Sequence, residues 1–166
     1  FATADFDLWP KFSQCILIIL MMVGACAGST GGGIKVSRFM IMLKTIRKEL
    51  DCIIHPRTVK KIRFEGQPVE HEVLRAVNVF FITYMFIYAG SLLVISLDNF
   101  DFTTNFTAVA ATLNNIGPGL SAVGPTGNFA EFSILSKIVF VFNMICGRLE
   151  LFPLMILLLP QTWKKY

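Results

Sequence analysis

Two apolar runs in this chain are too short to cross a membrane, and each stops at a glycine. The first, residues 12–24, reads FSQCILIILMMVG and passes directly into ACAGSTGGGIK. The second, residues 106–117, reads FTAVAATLNNIG and passes into PGLSAVGPTG. A spanning helix needs about 20 apolar residues. A helix of roughly half that length that breaks in glycine-rich backbone reads instead as a re-entrant segment, which dips in and turns back. Irregular backbone is tolerated at membrane depth only where it is buried in protein or lines a water-filled path.

Composition agrees with a membrane setting. Of 166 residues 54% are hydrophobic and 16% charged, with a mean hydropathy of +0.63, whereas an ordinary soluble domain carries about a quarter charged residues. The chain starts at Phe1, with no basic start ahead of an apolar core, and is expected to be part of a longer polypeptide. Cys15, Cys26, Cys52 and Cys146 form no C-x-x-C and have no histidine at zinc spacing, so they are expected to be small apolar packing residues. His55 and His71 are expected on a solvated surface. The net charge of +4 reflects membrane topology and not a nucleic-acid partner. No Ser/His/Asp set, carboxylate dyad or metal cluster appears, so no enzyme is expected.

Two longer segments, about 73–97 and 131–163, can span, and an amphipathic one covers about 33–50. Ten of the fifteen Lys and Arg lie between Lys35 and Arg75, and Lys164 and Lys165 close the chain. The loops around the short runs carry Asp5, Asp7, Asp98, Asp101 and Glu131. The positive-inside bias places residues 45–72 and the C-terminus in the cytoplasm. Both short runs then enter from outside, and because a re-entrant segment does not change sides the order is self-consistent. The halves also repeat: Phe6-Asp7 precedes Phe12 as Phe100-Asp101 precedes Phe106, a period of about 94 residues. Internal repetition is common in membrane transport proteins. The expected organisation is a pore loop and inner helix over 1–50, a cytoplasmic linker over 51–72, and a helix–pore–helix unit over 73–166.

Gly24 and Gly117 are the candidate filter glycines. Carbonyls turned toward a narrow axis need backbone angles that residues with a Cβ reach only at a cost, and such carbonyls can replace an ion's water shell. The preceding helices point their negative dipole ends the same way, which favours a cation. The alternative is that both glycines are ordinary helix C-caps. The stretch Gly28-Ser29-Thr30-Gly31-Gly32-Gly33-Ile34-Lys35 is not a phosphate loop, because Ile34 separates Gly33 from Lys35, Val36 follows, and no strand precedes it. Gly31, Gly32 and Gly33 read as a broken, flexible segment under the filter, a candidate gate, or else as a rigid connector. Arg148 sits near the middle of the last apolar segment, where an arginine costs at least about 2.5 kcal/mol and must face protein or water. A pair with Glu150 within one helix is disfavoured, since residues two apart lie on different faces. Gly147 allows close packing, and Pro153 predicts a kink.

Three motifs carry a resemblance that spans nearly the whole chain. Gly24-Ala25-Cys26-Ala27-Gly28-Ser29-Thr30-Gly31-Gly32-Gly33-Ile34-Lys35 resembles the third filter and following loop of the Trk/Ktr/HKT potassium transporters. Asn114-Asn115-Ile116-Gly117-Pro118-Gly119-Leu120 resembles their fourth filter. Gly147-Arg148-Leu149-Glu150 resembles the arginine motif of the last helix, most like the bacterial TrkH type. The resemblance implies an all-α integral membrane fold of helix–re-entrant pore loop–helix repeats, similar to potassium channels, of which this chain holds the C-terminal part of a four-repeat pore. It implies K⁺ uptake through a filter at Val23, Gly24, Ala25, Asn115, Ile116 and Gly117, with K⁺ as the transported ion on the carbonyls of Gly24 and Gly117 and no bound cofactor. It implies gating by Gly31, Gly32, Gly33, Lys35 and Arg148. The implied partners are the membrane, the N-terminal repeats of the same polypeptide, a second copy in a homodimer, and a cytosolic nucleotide-binding regulatory subunit; the implied location is the bacterial inner membrane. Two other classes fit the residues alone: a secondary carrier with a solute site at broken helices, and a non-conducting membrane subunit.

Overall fold

In a computed structural model, which describes residues 4–24, 26, 31–56, 62–64, 66–149 and 156, both short runs are helices of 12 residues: α1 (Lys11–Met22) and α4 (Phe102–Leu113). At about 1.5 Å per residue each is about 18 Å long, well short of a bilayer core. Between them lie α2 (Val36–Ile54), a minimal hairpin of β1 (Arg63–Phe64) and β2 (Gln67–Pro68), and α3 (His71–Ile95); α5 (Ile134–Leu149) follows. With the tight turn that continues it to Asp98, α3 is the one helix among the described residues long and apolar enough to span, with a mean hydropathy of 2.0.

Several boundaries differ from the sequence reading, each for a local reason. The second short run begins at Phe102, four residues earlier than expected, because the Asp101 carboxylate caps it by accepting from the Thr104 N–H at 3.1 Å. The last segment becomes helical at Ile134, where the Ser133 hydroxyl accepts from the Ser136 N–H at 3.2 Å. Helix α2 starts only at Val36, after Gly33 at φ +82°. It then runs to Ile54, into the expected linker, where the hairpin turns on Gly66 at φ +82°. The Lys44 ammonium donates to the Arg63 carbonyl at 2.8 Å and lies 5.5 Å from the Phe64 ring, which ties this hairpin to α2. Beyond α5 only residue 156 is described, so Glu150 and Pro153 lie outside the described residues.

The repeat is also less regular than the paired Phe-Asp motifs imply. Those motifs are 94 residues apart, but α1 and α4 begin 91 apart. Asp101 caps α4 directly, whereas α1 is preceded by Pro10 and Asp7 lies in a separate turn, Phe6–Leu8. Leu8, Trp9 and Pro10 are the inserted residues that break the correspondence.

Helix α4 forms the centre. Nearly all of Thr104–Leu113 is buried, enclosed by α3, α5 and α1. A helix surrounded on all sides must be apolar or satisfy its polar groups internally, and this one combines apolar residues with back-bonded hydroxyls, leaving the buried Asn105 Oδ1 without a hydrogen-bond partner among the described residues. Ala108, Val109, Ala110 and Leu113 join the core with Tyr84, Tyr88, Phe140 and Cys146, while the Thr107 and Thr112 hydroxyls donate back to the Thr103 and Ala108 carbonyls at 2.7 and 2.8 Å. Polar bonds join neighbouring helices: Tyr88 Oη donates to the Phe106 carbonyl at 2.8 Å, and Ser91 Oγ to Asn143 Oδ1 at 2.9 Å. Such bonds contribute about 0.6 kcal/mol each inside a membrane protein. Of the cysteines only Cys146 packs in this core. Cys15 and Cys26 are exposed, contrary to the sequence reading; Cys15 sits on α1, which is peripheral and has Gln14 as its one buried residue, and Cys26 lies beyond the end of that helix. His55 and His71 are exposed, as expected.

Candidate functional site

The C-terminal ends of α1 and α4 open onto one cavity of about 570 Å³. From the first unit it is lined by Val23, Gly24, Gly31 and Gly32, and from the second by Asn114, Asn115, Ile116 and Pro118. Turns more than 90 residues apart in sequence therefore share one wall. Both helices present the negative end of the backbone dipole to this space.

Neither glycine is an ordinary helix cap. Helix α4 ends in a Schellman arrangement: Asn115 adopts φ +54°, its N–H donates to the Thr112 carbonyl at 3.3 Å, and the Ile116 N–H reaches back to the Ala111 carbonyl at 2.9 Å. The left-handed cap is thus Asn115, which leaves Gly117 outside the helix. Gly117 itself has φ +114°, and a Cβ there would meet nothing within 4 Å, so backbone angle and not space selects glycine. Gly24 is the reverse case. Its N–H donates to the Ile34 carbonyl at 2.8 Å beside a single parallel bridge between Val23 and Ile34. A Cβ on Gly24 would lie 2.6 Å from the Gly32 carbonyl oxygen and 2.9 Å from that of Ile34.

The glycine-rich segment returns along this same edge. Gly31 and Gly32 line the cavity, and a Cβ on Gly32 would come within 2.7 Å of the Asn114 carbonyl oxygen. Gly33 lies against the Asn114 side chain, which a Cβ there would overlap. Lys35 is the residue before α2, half-buried, with its carbonyl accepting from Arg38 and Phe39. Arg148 is exposed in the last described turn of α5 and, with Lys35, Gly33 and Gly117, is not among the residues that line the cavity. Ala25 lies outside the described residues.

The sequence reading missed Asn114 as the hub of this site. Its Oδ1 accepts from Tyr84 Oη at 3.1 Å, its Nδ2 donates to the Ala110 carbonyl at 2.8 Å, and Gly32 and Gly33 rest on it. Tyr84 Oη is also 3.9 Å from Met22 Sδ at the end of α1. Its neighbour Asn115 donates from Nδ2 to the Met144 carbonyl of α5 at 3.1 Å. A double Asn at the end of a short apolar helix was the available signal, since amides buried there must find partners.

Beyond Gly117 the chain is held by hydrogen bonds to α4 and to the turn Ser121–Val123 that follows. The Leu120 N–H donates to Thr107 Oγ1 at 2.9 Å, and the Gly119 N–H to the Val123 carbonyl at 2.7 Å. At the mouth, burial raises the Asp101 carboxyl, but the bonds from the Thr104 hydroxyl and N–H outweigh it and hold Asp101 below its ordinary value. A carboxylate with a depressed folded pKa stabilises the fold above its unfolded pKa, and that contribution disappears as pH falls through the folded value. Asp101→Ala is therefore expected to cost about 1 kcal/mol, the usual value of a cap. The difference from the parent should be full at neutral pH and shrink below about pH 4. Thermal unfolding of both proteins across that range checks it, and an equal difference at all pH values would contradict the carboxylate's role.

The chain is similar over nearly its whole length to known proteins. The model of the TrkH family, described as cation transport protein, matches residues 1–165. The chain is 38% identical to the Trk system potassium uptake protein TrkH of Salmonella typhimurium, covering 99% of this chain and 34% of that protein. It is 34% identical to TrkI of Halomonas elongata, with 99% and 34% covered. The crystal structure of the potassium transporter TrkH from Vibrio parahaemolyticus superposes with a TM-score of 0.85 at 39% identity, over 99% of this chain and 35% of that one. The chain thus spans about a third of the length of these relatives. Its fold is that of an all-α, multi-pass protein of the bacterial inner membrane built on helix–pore turn–helix repeats, and the chain belongs to the TrkH family of cation transport proteins.

Proposed function

We propose that this chain supplies two adjoining pore turns of a potassium-uptake protein, the third and fourth of four around one ion path. One observation carries the reading: the ends of α1 and α4, with Val23-Gly24 and Asn115-Ile116, line a single cavity. In this reading the carbonyls of Val23, Gly24, Ala25, Asn115, Ile116 and Gly117 replace the water shell of K⁺, and the two helix dipoles favour the cation. The names of the relatives, potassium uptake proteins and a potassium transporter, support K⁺ as the ion. The organisation is a pore loop and inner helix over 1–50, with α2 continuing to Ile54 at the start of a cytoplasmic linker over 51–72, and a complete unit over 73–166. The assembly is completed by the preceding repeats, a second copy and a cytosolic nucleotide-binding regulator.

Gly31, Gly32, Gly33 and Lys35 form the intramembrane gate in this reading, with Arg148 as the cation that opposes passing ions. The seating of Gly32 and Gly33 on Asn114 supports a closed position for the gate. Arg148→Ala in the full-length protein is then expected to raise cation flux by about tenfold, the effect of removing about 1.4 kcal/mol of barrier. Rb⁺ uptake normalised to membrane abundance measures it. Unchanged flux would remove Arg148 from the gate and leave the filter to stand separately.

A further inference from the structure

We propose that Asp7 is a positioning residue for the second filter turn, acting across the boundary between the two pore units. The proposal rests on the filter reading above. Asp7 precedes α1 in the first unit, yet its Oδ1 accepts from the N–H of Ser121 at 2.8 Å, at the start of the short helical turn Ser121–Val123 that follows Gly117 in the second. Ser121 has φ +59°, a left-handed conformation that a residue with a Cβ adopts only when its surroundings hold it there. The other carboxylate oxygen lies against Gly124, where a Cβ would overlap it. The fit between Asp7 and this loop is therefore close on both sides.

Asp7 is itself well anchored. Its N–H donates to Asp5 Oδ1 at 3.1 Å, and its carbonyl accepts from Gln14 Nε2 of α1 at 2.6 Å, with the Lys11 ammonium 3.1 Å from Gln14 Oε1. Ser121 is also within reach of the second unit's own aspartate, its Oγ donating to Asp101 Oδ1 at 3.4 Å. The next residue, Ala122, donates its N–H to Thr104 Oγ1 at 3.3 Å, and that hydroxyl donates to Asp101. The two repeated Phe-Asp motifs, which do not correspond in the fold, thus converge on one residue. Asp101 fixes the start of the second pore helix, and Asp7 fixes the return limb of its filter from the neighbouring unit. Only three residues separate Gly117 from Ser121, so a shift at Ser121 is passed to the carbonyls around Gly117 along a limb bound at Gly119 and Leu120.

The test uses the full-length transporter with K⁺ uptake kinetics and competition by Na⁺. Asp7→Ala is expected to raise the KM for K⁺ and narrow the K⁺-over-Na⁺ ratio, each on the order of tenfold, as for loss of a hydrogen bond to a charged group. Adding Ser121→Gly should restore most of both, because glycine adopts this φ without a carboxylate to hold it. Should Asp7→Ala fail to accumulate, Asp7→Asn, which keeps the shape and one acceptor oxygen, carries the same comparison with a smaller shift. A loss of abundance with parental KM and ion ratio would overturn the proposal, as would a shifted ratio that Ser121→Gly does not restore. Gly117→Ser run in parallel separates the two readings. If Gly117→Ser shifts the ion ratio and Asp7→Ala does not, the clasp fails and the filter stands; if Gly117→Ser also leaves the ratio unchanged, the filter reading itself fails.

Discussion

Gly24→Ala is expected to reduce K⁺ uptake by the full-length protein at least about tenfold, from about 2 kcal/mol of overpacking placed directly on the backbone of the proposed filter. The added methyl would meet the carbonyl oxygens of Gly32 and Ile34 at 2.6 and 2.9 Å. Both obstacles are backbone, so no side chain can rotate away, and relief requires the Val23–Ile34 bridge to open. That opening moves the carbonyls of Val23 and Gly24 together with the glycine-rich segment. Gly117→Ala should behave differently: the site is open, and the penalty is one of backbone angle at φ +114°. Protein carrying it should reach the membrane and fail chiefly in discrimination among ions. Rb⁺ uptake and Na⁺ competition, each normalised to abundance, separate the two. Parental uptake by Gly24→Ala would mean that this edge is not a close backbone contact.

The largest effect on stability is expected at Gly147. Its Cα faces the end of α4 so closely that a Cβ would overlap the Leu113 carbonyl oxygen and lie 2.7 Å from Asn115 Nδ2. Gly147→Ala therefore has to push α5 away from α4, at a cost of about 3 kcal/mol. It also strains the Asn115 bond to Met144 that ties the cap of α4 to α5. Gly90→Ala is the matched comparison, for it lies within α3 with nothing within 4 Å of an added Cβ. There alanine should stabilise by up to about 1 kcal/mol through helix propensity. Thermal aggregation of the detergent-solubilised full-length protein reads both. Equal midpoints for the two variants would contradict the close approach of α5 to α4.

Much of this architecture was legible in the sequence because length and glycine are strong signals in a membrane. Runs of a dozen apolar residues could not be spanning helices, and α1 and α4 are indeed 12 residues long. What could not be read were features decided by single side chains. The start of α4 turned on whether Asp101 or a later residue caps it, and a run of Thr and Asn after Asp101 looks like a loop until its burial is known. The equivalence of the two Phe-Asp motifs failed because three inserted residues, Leu8, Trp9 and Pro10, moved Asp7 off the helix start. Periodicity registers spacing but not which of two aspartates becomes a cap. Nothing in the sequence sets Asn114 apart from Asn115, since the contacts that make it a hub come from Tyr84, Gly32 and Gly33, distant in sequence. The glycine-rich stretch was open to reading as a flexible break or a rigid connector; its described part, Gly31–Gly33, lies wedged between Gly24 and Asn114.

In the proposed filter a dehydrated cation sits among the peptide oxygens where α1 and α4 end. Anomalous diffraction from crystals of the full-length transporter grown in Rb⁺ or Tl⁺ tests it most directly. Ion density is expected in coordination contact with carbonyls of both the Val23-Gly24 and the Ile116-Gly117 turns. Ion sites elsewhere along the path, with none touching either turn in a transport-competent preparation, would contradict it.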